Sequence, residues 1–282
     1  MGDLREVRLK LAKSVQTLTT TPYAAALRAT DLAHSLMQHD VSLFWGTGTL
    51  IADQPSKVTL PAEDSSTHAM PKVRKVLDQS TEELILVSPY FVPGKTGKRW
   101  LQDLVHRGVA VKILTNSFAA TDVRIANSAY ARYRKDLLRA GVELYELKPS
   151  LNEQSMPTQE EHSKSAKSAK SSLHAKTYVS DGHRLLIGSM NLDPRSSALN
   201  TEMGLVIDSE TLGANIRDRF LSQLPDAAYR VELDTRADPK GRLVWVTTEN
   251  GQEARYDAEP GLKSFDKFLR VLEYVLPIEN QL

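Results

Sequence analysis

The chain contains no cysteine, and this absence excludes disulfide bonds and thiolate metal sites. Long hydrophobic runs are also missing, since no apolar stretch approaches the roughly 20 residues that a membrane-spanning helix needs. The first residues, MGDLREVRLKLAKS, lack the apolar core of a cleavable signal peptide. Neither charge dominates, because 36 Lys and Arg face 35 Asp and Glu for a formal net charge of +1. Dedicated nucleic-acid-binding proteins are usually basic overall, so no nucleic-acid partner is expected.

Hydrophobic residues make up 41% of the 282 residues, which is enough for a packed core. Three apolar runs are predicted to be buried strands with helical patterns between them: Leu84–Ser88, Val109–Thr115 and Val142–Glu146. This alternation predicts an α/β fold with a mostly parallel mixed sheet flanked by helices. Tyr229–Leu233 and Leu243–Thr248 predict a short C-terminal β-hairpin, and an amphipathic helix follows it.

These patterns divide the chain into three predicted regions. Residues 1–70 combine helical segments with a polar connector, 71–225 form the α/β lobe, and 226–282 hold the hairpin and the last helix. Within the lobe, residues 150–172 are polar, serine-rich and without periodicity. The second half of this segment has three lysines and no acid: Lys164, Lys167 and Lys170. Two interpretations stay open, a solvated loop or a rim that attracts an anionic substrate.

The residues best suited to chemistry begin at His174-Ala175-Lys176, which opens an apolar stretch. Residues two apart on a strand point to the same face, so the imidazole and the ammonium would share one face at the end of the sheet. Lys176 would supply a fixed positive charge for a phosphate oxygen. His174 could attack phosphorus or deliver a proton to the leaving oxygen. The pair therefore predicts a phosphodiester site.

A second polar cluster follows the next apolar strand, in the segment Gly188-Ser189-Met190-Asn191. Asn191 could donate a hydrogen bond to a second phosphate oxygen. Ser189 has two interpretations, a phosphate ligand or a small residue where the backbone approaches closely.

Two acidic residues complete the candidate set. Glu202 could bond the far nitrogen of His174 and fix its tautomer, as the orienting acid of a catalytic triad does. Asp181 precedes Gly182 in a predicted turn, which favours a role in supporting the site rather than contact with phosphorus. This chemistry requires no metal, and no cofactor is predicted.

The sequence HAKTYVSD at 174–181 matches the H-x-K-x4-D signature of the phospholipase D superfamily, and GSMNLDPRS at 188–196 resembles the run that follows it. Glu202 matches the position of the second acidic residue of this superfamily. Beyond the motif, SPYFVPG at 88–94 and TNSFAATDV at 115–123 resemble the C-terminal half of bacterial cardiolipin synthases, notably the shorter type without transmembrane helices. The resemblance covers roughly residues 20–282. One departure is Asn127, which stands where a histidine is expected.

This resemblance implies a phospholipase D-like lobe that transfers a phosphatidyl group through a phosphohistidine at His174. Lys176 and Asn191 would bind the phosphoryl group, Glu202 would orient His174, and Asp181 would belong to the signature. The implied substrates are phospholipids of the phosphatidylglycerol, phosphatidylethanolamine or cardiolipin class. The implied location is peripheral, on the cytoplasmic side of a bacterial inner membrane. Two alternatives stay open: a homodimeric phosphodiesterase (lipid hydrolase or nuclease), and an inactive half-enzyme.

Enzymes of this type carry two such motifs, one in each lobe, whereas this sequence contains one. His162-Ser163-Lys164 begins correctly, but Ala169 stands where the aspartate belongs. A second lobe is therefore expected from a homodimer mate, from the missing N-terminal half of a longer enzyme or from a separate chain. Residues 1–70 would then be the remnant of an absent first lobe and its connector.

Overall fold

The structure is a computed structural model that describes residues 4–38, 40–149, 172–236, 238–263, 266 and 270. It divides into two compact units, Met1–Phe44 and Trp45–Leu282. The first unit contains three described helices: α1 (Leu4–Thr19), α2 (Pro22–Arg28) and α3 (Asp31–Met37). The second and third begin after Thr21 and Thr30, whose side chains accept a hydrogen bond from the backbone N–H three residues later. Such threonine caps satisfy N–H groups that a helix start leaves unpaired.

The second unit is built on one sheet flanked by helices. Its strands are β1 (Thr47–Ala52), β2 (Glu83–Val87), β3 (Ala110–Asn116), β4 (Glu143–Leu147), β5 (Thr177–Ser180), β6 (Arg184–Gly188), β7 (Met203–Asp208), β8 (Ala228–Asp234), β9 (Arg242–Glu249) and β10 (Gln252–Tyr256). Its described helices are α4 (Met70–Leu77), α5 (Gly94–His106), α6 (Arg124–Ala131), α7 (Arg134–Ala140), α8 (Pro194–Ala198) and α9 (Glu210–Ala227). The strands are ordered β1-β7-β6-β5-β2-β3-β4-β8-β9-β10 across the sheet.

The predicted α/β class with a mixed sheet and a C-terminal hairpin is confirmed, but the prediction that the sheet is mostly parallel is wrong. Among the described strands, parallel pairing joins β2 to β3 and β3 to β4. Every other described pair is antiparallel. Parallel neighbours need a crossover connection, which α5 provides between β2 and β3, while short turns such as that between β5 and β6 reverse the chain. A strand buried on both faces has the same apolar run in either direction, so its sequence does not reveal its pairing.

The sheet also corrects two predicted boundaries. Residues 47–52 pair with β7, so the sheet-containing unit begins at Trp45, well before residue 71. The hairpin of β8 and β9 continues the same sheet, because β8 pairs with β4. The predicted C-terminal helix lies outside the described residues except for Asp266 and Arg270, and the lysines of segment 150–172 lie outside them as well.

The two faces of the sheet carry separate hydrophobic clusters, which explains the unbroken apolar runs of the central strands. Residues of α4, α5 and α7 pack on one face against Leu84, Leu86, Ile113, Leu144, Tyr178 and Leu186. Residues of α9 pack on the other face against Ile85, Val87, Leu114, Val179 and Leu185. Successive residues of a strand point to opposite faces, so both sets must be apolar.

A buried ion network joins α7, β4 and the segment after β10. Arg134 Nε lies 2.8 Å from Glu146 Oε1, and Arg134 Nη2 lies 2.7 Å from Glu259 Oε1. Trp245 Nε1 donates to the second Glu146 oxygen at 2.9 Å. Burial opposes ionisation of Glu259, but Arg134 and Arg270 outweigh it and lower the pKa of that carboxyl to about 2. The network is therefore a set of charges that depend on one another.

We predict that Arg134→Met destabilises the protein by about 3–5 kcal/mol, because it removes the arginine that faces the buried Glu146 carboxylate and one of the two arginines that face Glu259. Urea unfolding measures the change. Arg139→Met is the matched control in the same helix, since the Arg139 side chain is 48% exposed; its expected cost is below about 1 kcal/mol. Equal effects of the two substitutions would contradict the prediction.

Candidate active site

His174 and Lys176 lie in the irregular segment directly before β5, which begins at Thr177. His174 is exposed and Lys176 is half-buried. Lys176 Nζ donates to the carbonyl oxygen of His174 at 2.9 Å. The backbone N–H of Gly188 donates to the carbonyl oxygen of Lys176 at 3.2 Å, so the end of β6 holds this segment. The strand that was predicted to include both side chains therefore starts one residue after the lysine.

Three carboxylates influence the Lys176 ammonium electrostatically. Burial lowers the pKa of Lys176, and the negative charges of Glu202, Asp193 and Asp122 partly oppose this effect. Asp122 in turn accepts hydrogen bonds from Tyr90 Oη at 3.0 Å. A cation partly withdrawn from water interacts more strongly with a nearby anion than an exposed cation does. Lys176 is thus suited to attract a phosphate oxygen.

The loop after β6 holds Asn191 in a buried position. Its backbone N–H donates to Ser196 Oγ at 3.1 Å. Its Oδ1 atom, an acceptor, is buried and has no hydrogen-bond partner among the described residues. The contact expected from the Asn191 side-chain nitrogen to a phosphate oxygen stays a prediction. The Ser189 hydroxyl is instead paired with the backbone of Met203, at 3.1 Å to the nitrogen and 3.3 Å to the oxygen. That serine fastens β6 to β7, and its phosphate contact stays a prediction.

Glu202 is buried beside this loop. Its Oε1 atom accepts hydrogen bonds from Ser196 Oγ at 2.9 Å and from Asn200 Nδ2 at 3.4 Å. Within the described part of the chain, no hydrogen bond joins Glu202 to the His174 ring, so the bond expected from the sequence is not formed. Ser196 instead links Glu202 to the backbone of Asn191, because its hydroxyl donates to Glu202 Oε1 and accepts from the Asn191 N–H. The orienting role of Glu202 stays a prediction.

The buried ion pair of Asp53 and Lys57 contacts the backbone around Glu202. Asp53 and Lys57 are 2.8 Å apart, and their side chains are 1% and 0% exposed. Asp53 Oδ2 also accepts from the backbone N–H of Glu202 at 2.7 Å, and Lys57 Nζ donates to the Ser196 carbonyl oxygen at 3.0 Å. The sequence interpretation missed these residues, because they fall in a polar, proline-containing segment that resembles a solvated connector. The spacing of four between Asp53 and Lys57 was the only local signal.

Asp181 lies at the opposite end of β5 from His174. Its backbone has a left-handed φ of 50°, as the turn requires. Its carboxylate accepts from the backbone N–H groups of Thr81 (2.9 Å), Glu82 (2.9 Å) and Glu83 (3.0 Å). Burial opposes ionisation of Asp181, but these donors prevail and lower its pKa. The structure therefore brings His174, Lys176, Asn191 and Glu202 to one end of the sheet, and Asp181 to the other.

Comparison with known proteins adds to this geometry. Residues 73–224 match the protein family described as "Cardiolipin synthase, PLD-like domain". The chain belongs to this family of phospholipase D-like proteins. It is 38% identical to cardiolipin synthase C of Escherichia coli over 260 residues, which is 92% of this chain and 53% of that protein. An uncharacterised Helicobacter pylori protein is 26% identical over 250 residues, 89% of this chain and 47% of that protein.

The phospholipase D-like chain thus spans about half the length of the curated relatives that it matches. Among solved structures, the phospholipase D family member Nuc of Salmonella typhimurium aligns with a TM-score of 0.47 and 14% identity. That alignment covers 67% of this chain and 99% of Nuc. In the described residues, no helix is both long and apolar enough to cross a bilayer.

Asp181→Ala should lower the free energy of unfolding by about 2–4 kcal/mol, because three backbone N–H groups lose a charged acceptor. His174→Ala should change it by less than about 0.5 kcal/mol, since an exposed side chain is removed. Chemical denaturation at neutral pH compares the two variants. A small loss for Asp181→Ala would contradict its supporting role.

The stability difference between the parent chain and Asp181→Ala should also depend on pH. Folding lowers the pKa of Asp181 below its ordinary value of 3.8, so its stabilising contribution is present above that value and is lost as the pH falls through the folded-state pKa. The stability difference between the parent chain and Asp181→Ala should therefore narrow on acidification below that value. A constant difference would show that the ionised carboxylate is not responsible.

Proposed function

We propose that this phospholipase D-like chain supplies one catalytic lobe of a phosphatidyltransferase of the cardiolipin synthase type. The observation that carries the proposal is the 38% identity to cardiolipin synthase C of Escherichia coli over 92% of the chain. An alignment of that extent includes the region of residues 174–202, where the described site lies. The convergence of His174, Lys176, Asn191 and Glu202 at one end of the sheet supports the same conclusion.

In the proposed first step, a ring nitrogen of His174 attacks the phosphorus of a phospholipid. A nitrogen–phosphorus bond forms, the phosphorus–oxygen bond to the headgroup alcohol breaks, and a general acid protonates the leaving oxygen. Lys176 and Asn191 hold the other phosphoryl oxygens. The product is a phosphatidyl group on His174 and a free headgroup alcohol.

In the proposed second step, a glycerol hydroxyl of phosphatidylglycerol gives its proton to the same acid–base group and attacks phosphorus. The nitrogen–phosphorus bond breaks and His174 is restored. When the acceptor and the donor are both phosphatidylglycerol, the two products are cardiolipin and glycerol. When water takes the place of the acceptor, the same site acts as a phospholipase D, which is the second candidate function.

The general acid is proposed to come from a second lobe with its own histidine motif. His174 is exposed, so a second lobe has open access to its ring. The chain also matches only 53% of the length of cardiolipin synthase C, which leaves room for another lobe in an enzyme of that size. A longer enzyme is therefore the favoured source of the second motif, and a homodimer mate or a separate chain are the alternatives.

The proposed substrates are phospholipids of the phosphatidylglycerol, phosphatidylethanolamine or cardiolipin class, taken from a membrane surface. The proposed location is the cytoplasmic side of a bacterial inner membrane, where the enzyme would bind peripherally. The name of the Escherichia coli relative supports the lipid class.

Purified enzyme containing this lobe, mixed with vesicles of phosphatidylglycerol with or without phosphatidylethanolamine, should form cardiolipin. His174→Ala should lower the rate by at least about 10³-fold, because the nucleophile is lost. His106→Ala, an exposed histidine at the end of α5, is the matched control and should leave the rate unchanged. Release of headgroup without cardiolipin would identify a hydrolase, and cardiolipin formation by His174→Ala would exclude the proposed nucleophile.

The need for a second lobe is tested by measuring mass and activity on the same sample. A monomer of this chain should be slower than an assembly with two motifs by about 10²–10⁴-fold, which is the usual contribution of a general acid. Native mass spectrometry and cardiolipin formation provide the two readouts. Full activity in a demonstrated monomer would overturn the two-lobe proposal.

A further inference from the structure

The backbone that carries His174 is fastened on both sides. On one side, Gly188 holds the carbonyl oxygen of Lys176 at 3.2 Å. On the other side, the N–H of Leu173 donates to Asn116 Oδ1 at 3.0 Å, and the Leu173 carbonyl oxygen accepts from Asn116 Nδ2 at 3.2 Å. Only His174 and Ala175 lie between the two fastened residues. The position of the imidazole therefore depends on both attachments.

Asn116 is well placed to act as a rigid attachment point. It is the last residue of β3, a central strand that pairs with β2 and β4, and it is 2% exposed. Its Nδ2 atom also lies 3.4 Å from the carbonyl oxygen of Pro89 and 3.3 Å from the Ser172 hydroxyl. These contacts hold the side-chain amide in one orientation, in which both its nitrogen and its oxygen face the backbone of Leu173.

Asn127 contacts the backbone of Asn116. Its Nδ2 atom donates to the carbonyl oxygen of Asn116 at 3.3 Å, and its Oδ1 atom accepts from Arg270 Nη2 at 2.8 Å. The residue is 5% exposed. The asparagine at this position, where the family resemblance led us to expect a histidine, is thus engaged in the attachment of Asn116.

A primary amide is the side-chain group that this attachment requires. Holding both the N–H and the carbonyl of one residue takes an acceptor and a donor side by side, which asparagine has and an ionised aspartate lacks. Thr115, the neighbouring buried residue, shares the Pro89 contact through its hydroxyl at 3.2 Å but points to the other face of β3. It offers a comparison that removes a buried hydrogen bond without touching Leu173.

We propose that Asn116 is a positioning residue for His174. Its amide fixes Leu173, and through Leu173 it sets the distance and direction from which the imidazole approaches phosphorus. The catalytic part of this proposal rests on the proposed role of His174 as the nucleophile. A displacement of about 1 Å of a reacting group costs on the order of 10²-fold in rate.

The test compares Asn116→Ala and Asn116→Asp with Thr115→Val in the enzyme that forms cardiolipin. Hydrogen exchange at the Leu173 amide reports on the attachment without any substrate. We expect that amide to exchange roughly tenfold faster in Asn116→Ala, because its hydrogen bond is lost. Asn116→Asp should keep the bond to the Leu173 N–H and lose the bond to its carbonyl, so exchange at Leu173 should change less.

The kinetic readout separates positioning from folding. In both Asn116 variants kcat should fall by about 10²-fold while KM changes by less than about threefold, since binding contacts are kept and geometry is lost. Thr115→Val should leave kcat and Leu173 exchange near the parent values, and thermal unfolding checks that all three variants are folded. Similar thermal midpoints with unequal kcat would exclude a purely structural role.

Unchanged exchange at Leu173 in Asn116→Ala would overturn the attachment, and faster exchange with unchanged kcat would overturn its role in positioning. A loss of kcat of equal size in Thr115→Val would attribute the effect to general destabilisation and overturn the proposal as well. If His174→Ala stays active, the proposed function fails independently, and the exchange measurement still decides whether Asn116 holds Leu173.

Discussion

The alternation of strand direction around β5 is the constraint on which the site depends. β5 pairs antiparallel with β2 on one side and with β6 on the other, with Thr177 opposite Val87 and Ile187. The start of β5 therefore meets the ends of β2 and β6. β7 begins at this same place, because Gly204 lies opposite Gly188, and β1 ends there, because Ala52 lies opposite Met203. Residues from distant parts of the sequence are thus brought together by backbone pairing alone.

This convergence explains why the residues next to the strand ends are polar and yet ordered. Asp53 follows β1, Asn116 ends β3, His174 and Lys176 precede β5, and Glu202 precedes β7. Buried polar groups are costly unless they are paired, and most of these groups hold one another. Asp53 holds the backbone of Glu202, and Asn116 holds the residue before His174. The site is therefore a hydrogen-bonded layer across the end of the sheet, with His174 at its exposed surface.

Much of this arrangement could be predicted from the sequence. The spacing of His174 and Lys176, the Asn191 segment and Glu202 predicted the candidate site, and apolar runs predicted the central strands. The direction of most pairs could not be predicted, because a strand that is buried on both faces has no polar side to reveal its neighbours. Asp53, Lys57 and Asn116 were missed for a related reason. The role of each residue depends on which strand ends lie together in the sheet. The sequence around each residue does not contain that information.

The covalent bond that we propose between His174 and phosphorus can be detected directly. Enzyme turning over phosphatidylglycerol would be quenched in neutral denaturant, digested and examined by mass spectrometry. A phosphorus–nitrogen bond on histidine is labile in acid, and the acyl esters of the lipid are hydrolysed in alkali. We expect a phosphatidyl adduct on the peptide containing His174, which disappears in His174→Ala. An adduct on another residue of this chain, or cardiolipin production by His174→Ala, would contradict it.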